Sequence, residues 1–288
     1  MKVLVVNREE VQRSLSMREC VEVMADVLMM LGRGHALNPL RSLMWLPDKT
    51  GLIGMMPACL EDVAVMGVKA ISVFPANPQT GHDTHQGAVL LFETKNGRLL
   101  AMLDAGMITA LRTAAVSGAA TRLLARRDAK SLALLGSGMQ ATTHLEAMCV
   151  VRDIRHVRVW SRNLDHARDF AERETACRSL AIEPVETAAQ AVDGADIICT
   201  ATSATEPVLK GDWIAPVRRC ANAMSDPLYG HRLLALSPRH EQQGQREGTE
   251  CYRSCPALPP AEITPSMDWS IIPMPGCTTI PTYVPDSH

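Results

Sequence analysis

The sequence predicts an α/β protein in three parts: an N-terminal α+β domain over residues 1–127, an incomplete βαβ-type domain over residues 128–237, and an atypical, irregular tail over residues 238–288. Three observations carry this expectation. The apolar run Ser131-Leu-Ala-Leu-Leu135 passes into Gly136-Ser-Gly138-Met-Gln-Ala141, with a helix-capable segment, Thr142 to Val150, immediately behind. Strand patterns recur downstream at His156-Val-Arg-Val-Trp160 and at Ile197-Ile-Cys-Thr-Ala-Thr202, the second after a helix end at Gln190 to Asp196, which is βαβ spacing. Upstream of all these, five β-patterned runs crowd between Arg41 and Asp104.

In chain order, Met1 to Val6 reads as a short strand. Asn7 with Glu10 and Ser16 with Glu19 have capping-box spacing, so helices begin near residues 8 and 17. In the second helix Cys20, Met24, Val27, Leu28 and Leu31 recur at three and four residues and form one packing stripe. The β runs are Arg41 to Leu46, Gly51 to Met56, Gly67 to Phe74, Gly87 to Glu93 and Arg98 to Asp104. Lys95-Asn96-Gly97 joins the last two, and Asn-Gly between strands signals a hairpin, so this domain reads as mostly antiparallel. A long helix from about Thr109 to Arg126 then leads into the βαβ-type domain.

Composition narrows the function classes. With 29 basic and 31 acidic residues and a formal charge of -2, the chain has no electrostatic footprint for nucleic acid or an anionic membrane. The apolar start is too short for a secretory signal, no apolar stretch reaches membrane-spanning length, and the nine cysteines are scattered without a C-x-x-C pair. A cytoplasmic protein is expected. Beyond Pro216 the character changes, with ten of the 18 prolines and the polar run Glu241 to Glu250.

The glycine turn points to a Rossmann-type NAD(P)-binding domain. Gly136 permits a tight turn, Gly138 lets the backbone approach a pyrophosphate, and the following helix N-terminus stabilises its charge. The cofactor-binding candidates are Gly136, Ser137, Gly138, Met139 and Gln140, with Ser161 and Arg162 after the second strand and Thr200, Ala201 and Thr202 after the later one. An NAD site usually places an acid where Ser161-Arg162-Asn163 stands, so Arg162 favours NADP(H), with NAD(H) the alternative. His82 and His85 lack a third ligand in view, and no metal is expected.

Several segments resemble the ornithine cyclodeaminase and mu-crystallin family: Pro39-Leu-Arg41-Ser, Met56-Pro57-Ala, Gly67-Val-Lys69, Thr84-His85-Gln86-Gly87-Ala-Val-Leu-Leu-Phe92, Ile108-Thr-Ala-Leu-Arg112-Thr-Ala-Ala-Val-Ser117, the glycine turn, and Ala204-Thr-Glu-Pro207 with Gly211-Asp-Trp213. They stand in family order over about the first three quarters of the chain. The resemblance implies NAD(P)-dependent hydride transfer at the Cα–N bond of a small amino or imino acid, either cyclodeamination of ornithine to proline or reduction of a cyclic imine such as pyrroline-2-carboxylate. It further implies a homodimer built through the first domain. By matching position, Arg41, Lys69, Thr84 and Arg112 hold the substrate carboxylate. Lys69 is also a catalytic candidate, a charge interrupting the apolar strand Val68 to Val73.

After Trp213-Ile-Ala-Pro216 the family pattern breaks, and neither its later strand nor its C-terminal return to the first domain is recognised. Asn222-Ala-Met224 reads as a displaced remnant, which makes Asp226 the nearest carboxylate for the family's acid/base aspartate. A shifted reading frame or a divergent ending explains the break. Two alternatives to an enzyme follow: a non-catalytic, mu-crystallin-like NADP(H)-binding protein, or an inactive product with a disrupted C-terminus.

Overall fold

The computed structural model describes residues 2–77, 80–204 and 206–214, and the backbone of 219–222. Asp226 and the tail lie outside the described residues. Two sheets organise the chain, and the long helix between them touches both.

The first sheet has the order β1-β7-β6-β5-β4-β2, with β3 also on β4. Its strands are β1 (Leu4–Val6), β2 (Ala36–Leu37), β3 (Ser42–Trp45), β4 (Leu52–Leu60), β5 (Val65–Val73), β6 (His85–Glu93) and β7 (Leu99–Asp104). All pairings are antiparallel except β1 with β7. The hairpin at Lys95-Asn96-Gly97 forms, with Gly97 at φ +70°, the left-handed conformation that glycine adopts without penalty.

Helices α1 (Arg8–Ser14) and α2 (Met17–Gly32) begin where the capping boxes place them. Asn7 and Ser16 accept from the backbone N–H groups of Glu10 and Glu19, whose carboxylates accept from the cap N–H groups in return. Helix α3 (Ala105–Leu124) starts four residues before the sequence suggests, because Asp104, the last residue of β7, accepts from the Met107 N–H at 2.6 Å and caps the helix directly.

The second sheet is entirely parallel, in the order β10-β9-β8-β11-β12: β8 (Ser131–Leu135), β9 (His156–Trp160), β10 (Ala181–Val185), β11 (Ile197–Thr200) and β12 (Arg219–Asn222). Counted along the chain this is 3-2-1-4-5, the doubly wound order of dinucleotide-binding folds. Helices α4 (Met139–Val151), α5 (Leu164–Arg178) and α6 (Ala188–Val192) cover its faces. Alternation along β8 divides the core: Leu132 and Leu134 pack with Leu145, Met148 and Phe170 on one side, while Ala133 and Leu135 pack with Ala191 and Val192 on the other.

Three features correct the sequence reading. Helix α4 begins at Met139 rather than Thr142, directly behind Gly138. Helix α5 and strand β10 are additional elements, and Pro184 is accommodated because β10 is an edge strand. A strand follows Pro216 where the sequence suggests only an irregular continuation: β12, whose backbone pairs in register with β11 from Ile197↔Arg219 to Thr200↔Asn222. Among the described residues no helix is long and apolar enough to cross a membrane.

Asp196, at the head of β11, ties that strand to β8. It accepts from the Lys130 and Ser131 N–H groups, the Ser131 hydroxyl and Arg126. Burial pushes its carboxyl pKa up, but these donors outweigh burial and hold it at about 2. Its stabilisation is therefore complete above the unfolded value of about 3.9 and fades as pH falls through about 2. In Asp196→Asn we expect a loss of roughly 2 kcal/mol in urea unfolding at neutral pH that narrows steadily in acid. An equal deficit at all pH values would show that the charge is not what matters.

Candidate functional site

The glycine turn lies where the parallel strands end. Gly136 sits at φ +124°, and a Cβ there would fall 2.2 Å from the Ala201 carbonyl oxygen. Only glycine allows the ends of β8 and β11 to approach this closely. The Gly136 N–H donates to the Trp160 carbonyl at 2.7 Å, the Ala201 N–H donates to the Leu135 carbonyl at 2.7 Å, and the Ser137 hydroxyl donates to that of Ser161 at 3.1 Å. Ser137, Ser161, Thr200, Ala201 and Thr202 are thereby gathered at one edge of the sheet, with Thr202 Oγ1 accepting from the Ala204 N–H.

Gly138 is the cap of α4 and provides no side-chain hydrogen bond to it. A Cβ at Gly138 would meet nothing within 4 Å. No side chain caps the first turn of this 13-residue helix, and uncapped N–H groups at a helix start suit a phosphate. Met139 is exposed at this mouth, and Gln140 Oε1 is buried without a partner among the described residues. Arg162 stands exposed after β9, with no ion pair among the described residues.

The second cluster belongs to the first sheet. Lys69 lies at the middle of β5, opposite Met56 on β4 and Val89 on β6. Ser42, the first residue of β3, is opposite Met55, so Arg41 immediately before it comes next to Met56, the cross-strand partner of Lys69, and near enough for its charge to act on Lys69. Helix α3 covers this face, with Ala105 packed on Leu52, Ile71 and Val73. It presents Thr109 and Arg112, three residues apart and so on one helix face. Lys69 Nζ donates to Thr109 Oγ1 at 3.2 Å.

The electrostatics of this cluster are one-sided. Burial, then Arg112, then Arg41 push the Lys69 amine down to about 7. Burial and Arg41 lower Arg112 to about 10, with Cys20 opposing, so its guanidinium remains charged at neutral pH. Burial also lowers Arg41. Among the described residues no carboxylate pairs with any of the three. Three basic groups collected with no counter-ion among the described residues give this place an electrostatic preference for an anion.

Thr84 is placed differently. Its carbonyl accepts from the Phe74 N–H at 2.9 Å, five residues along β5 from Lys69 or about 16 Å of extended strand. No hydrogen bond among the described residues joins it to the three cations. Two contributors escaped the sequence reading. Thr109 could have been found from its i, i+3 relation to Arg112. His144 on α4 is fully buried: its Nδ1 is 2.7 Å from the Gln140 carbonyl and its Nε2 is 3.1 Å from Ser117 Oγ on α3. A carbonyl only accepts, so Nδ1–H donates to it and Nε2 accepts from the hydroxyl. Burial holds His144 neutral, at about 4, against the opposing pull of that carbonyl.

The family model for ornithine cyclodeaminase/mu-crystallin proteins matches residues 1–229. The chain belongs to this family. Mouse (Mus musculus) ketimine reductase mu-crystallin is 36% identical over 183 residues, covering 64% of this chain and 57% of that protein. The family member thus spans little more than half the length of this relative. Among solved structures, Thermococcus litoralis Δ1-pyrroline-2-carboxylate reductase in complex with NADH and L-proline is similar at a TM-score of 0.74 and 36% identity, over 76% of this chain and 68% of that one. An archaeal alanine dehydrogenase dimer with bound NAD is similar at a TM-score of 0.71 and 29% identity, over 76% and 67% of the two chains.

The two turn glycines separate folding from binding. Gly136→Ala forces both a clash and a strained φ, a penalty on the order of 1–3 kcal/mol from the backbone alone, so its melting temperature should fall. Gly138→Ala should melt like the parent chain yet bind nucleotide more weakly, because its Cβ points into the space left open at the helix end. Thermal melts paired with NADH fluorescence titrations check both. Unchanged nucleotide affinity in Gly138→Ala would place the cofactor elsewhere.

Proposed function

We propose that this protein is an NADP(H)-dependent reductase of small cyclic imines bearing a 2-carboxylate, of which pyrroline-2-carboxylate is the simplest candidate. The observation that carries the reading is the gathering of Arg41, Lys69 and Arg112 with no carboxylate among the described residues to answer them. The complex of the Thermococcus reductase with NADH and L-proline supports it, because proline carries the carboxylate and ring that such a cluster would grip.

In this reading the two guanidiniums hold the carboxylate, with bidentate contacts available from each. Thr84, the fourth residue that the family resemblance brings to the carboxylate, lies beside Phe74 at the end of β5. The dinucleotide lies over Gly136 to Gln140, Ser161, Arg162 and Thr200 to Thr202. When bound in reduced form, it supplies the hydride for an imine carbon. Lys69 is the proton donor: an amine poised at about 7 exists in both protonation states at neutral pH, the condition under which a general acid works best. Asp226, four residues beyond the end of β12, is a second candidate for proton transfer at nitrogen.

A homodimer built through the first sheet is part of the proposal. The face of that sheet turned away from α3 exposes Val5, Met44, Ile53, Met55, Met66 and Met102, an apolar surface of the kind that protein interfaces cover. The free thiols Cys20, Cys59, Cys149, Cys177 and Cys199 support a reducing, cytoplasmic setting.

Incubation of the full-length chain with pyrroline-2-carboxylate and NADPH tests the activity. Stoichiometric NADPH oxidation with proline formation is expected, and Arg112→Met should raise KM at least about tenfold, the scale of one lost charge-assisted hydrogen bond. Turnover of ornithine with ammonia release and no net nucleotide consumption would assign the cyclodeaminase reaction instead. Nucleotide binding without any turnover would leave a non-catalytic binding protein. For the cofactor, Arg162→Asp should weaken NADPH much more than NADH, and equal losses would remove the assignment of the 2′-phosphate to Arg162.

A further inference from the structure

The chemistry that makes Lys69 a proton donor also makes it a nucleophile. We propose that Lys69 captures 2-oxo acids as a reversible Schiff base, with their carboxylate held by Arg41 and Arg112. The inference rests on the reading of the cationic cluster as a carboxylate site, but requires neither nucleotide nor turnover.

Four observations bear on it. Arg41 precedes the strand beside Met56, the cross-strand partner of Lys69, Arg112 lies three residues along α3 from Thr109, which Lys69 touches, and both guanidiniums are close enough to act on the amine, so an anion held by them lies beside it. Lys69 is partly rather than fully buried, so it is not sealed in the core. No carboxylate among the described residues pins the ammonium, whose hydrogen-bond partner is the neutral Thr109 hydroxyl at 3.2 Å. Finally, burial together with two permanent positive charges brings the amine to about 7, so a large part of it carries a free lone pair at neutral pH, whereas an ordinary lysine titrates near 10.4.

The bond changes balance without any redox partner. The Nζ lone pair adds to the C2 carbonyl carbon, and a proton passes from nitrogen to the carbonyl oxygen to give a carbinolamine. Thr109 Oγ1, already within hydrogen-bond distance of Nζ, is placed to relay that proton. Loss of water then forms C=N, and addition of water reverses every step. A carboxylated cyclic imine opens in water to an amino 2-oxo acid, so the ligand class accompanies the proposed substrate in solution. Such open-chain forms would occupy Lys69 as slow-onset, reversible inhibitors.

The test is reductive trapping on the full-length chain at neutral pH with pyruvate and cyanoborohydride, followed by peptide mapping. One reduced pyruvyl group on Lys69 is expected, absent from Lys69→Arg and suppressed by L-proline. Arg41→Met should slow trapping of pyruvate about tenfold more, at subsaturating concentration, than trapping of propanal, which has no carboxylate to lose and slows only as far as the Lys69 amine is protonated once Arg41 no longer pushes it down. Labelling of Lys69 no faster than Lys49, Lys95, Lys130 or Lys210 would overturn the inference, as would equal effects of Arg41→Met on pyruvate and propanal. If Lys69 stays unlabelled while L-proline still binds, the capture chemistry fails and the carboxylate site stands. If L-proline does not bind either, the carboxylate site itself is wrong.

Discussion

The close approach of α3 and α4 is the constraint on which the arrangement depends. A Cβ at Gly118 of α3 would lie 3.1 Å from a Val21 methyl of α2, tighter than ordinary packing, and 3.4 Å from Ala147 of α4, in ordinary contact, so the three helices pack closely around this glycine. His144 crosses the same seam, receiving the Ser117 hydroxyl from α3 and donating to the Gln140 carbonyl in the first turn of α4. Helix α3 carries Thr109 and Arg112, while the first turn of α4 opens the glycine mouth. One rigid contact thus fixes the distance between the cation cluster and the nucleotide turn, as a site that must align two molecules requires.

Like charges brought together impose an energetic cost that the fold tolerates. Moving Lys69 from its ordinary 10.5 to about 7 corresponds to on the order of 4–5 kcal/mol against charging it in place. Structural ion pairs relieve such costs elsewhere in the chain. Glu174, buried at the heart of α5, is answered by both Arg173 and Arg178. The contrast between an answered buried carboxylate and a partly buried cationic cluster with no carboxylate partner among the described residues is what marks the cluster as a candidate binding site. An arriving carboxylate would offset the positive charge of Arg41 and Arg112, so the cost in the free protein becomes affinity for an anion.

Much of this was legible in sequence because local rules and tertiary demands agree. The Gly136 turn, both capping boxes and the Asn96-Gly97 hairpin each follow from short-range chemistry. Where they parted, specific residues explain it. Asp104 belongs to a strand and a helix cap at once, which hid the true start of α3. In α5 the buried positions Ala167, Phe170, Ala171 and Glu174 do recur with helical period, but dense charges around them mask the pattern. Pro184 masked β10, since a proline in a strand is admissible only at an edge that sequence does not reveal. Strand β12 was masked by Arg218 and Arg219, and its place comes from backbone pairing with β11. Lys69 and Arg112 stood out individually, whereas their convergence with Arg41 required the strand register.

The most direct test of the account is a crystal structure of the full-length chain grown with NADPH and L-proline. It should show the pyrophosphate against the backbone from Gly136 to Gln140 and the proline carboxylate enclosed by Arg41, Lys69 and Arg112. A proline carboxylate bound away from those three cations, with the nucleotide in place, would contradict the central claim that their uncompensated charge is the substrate site.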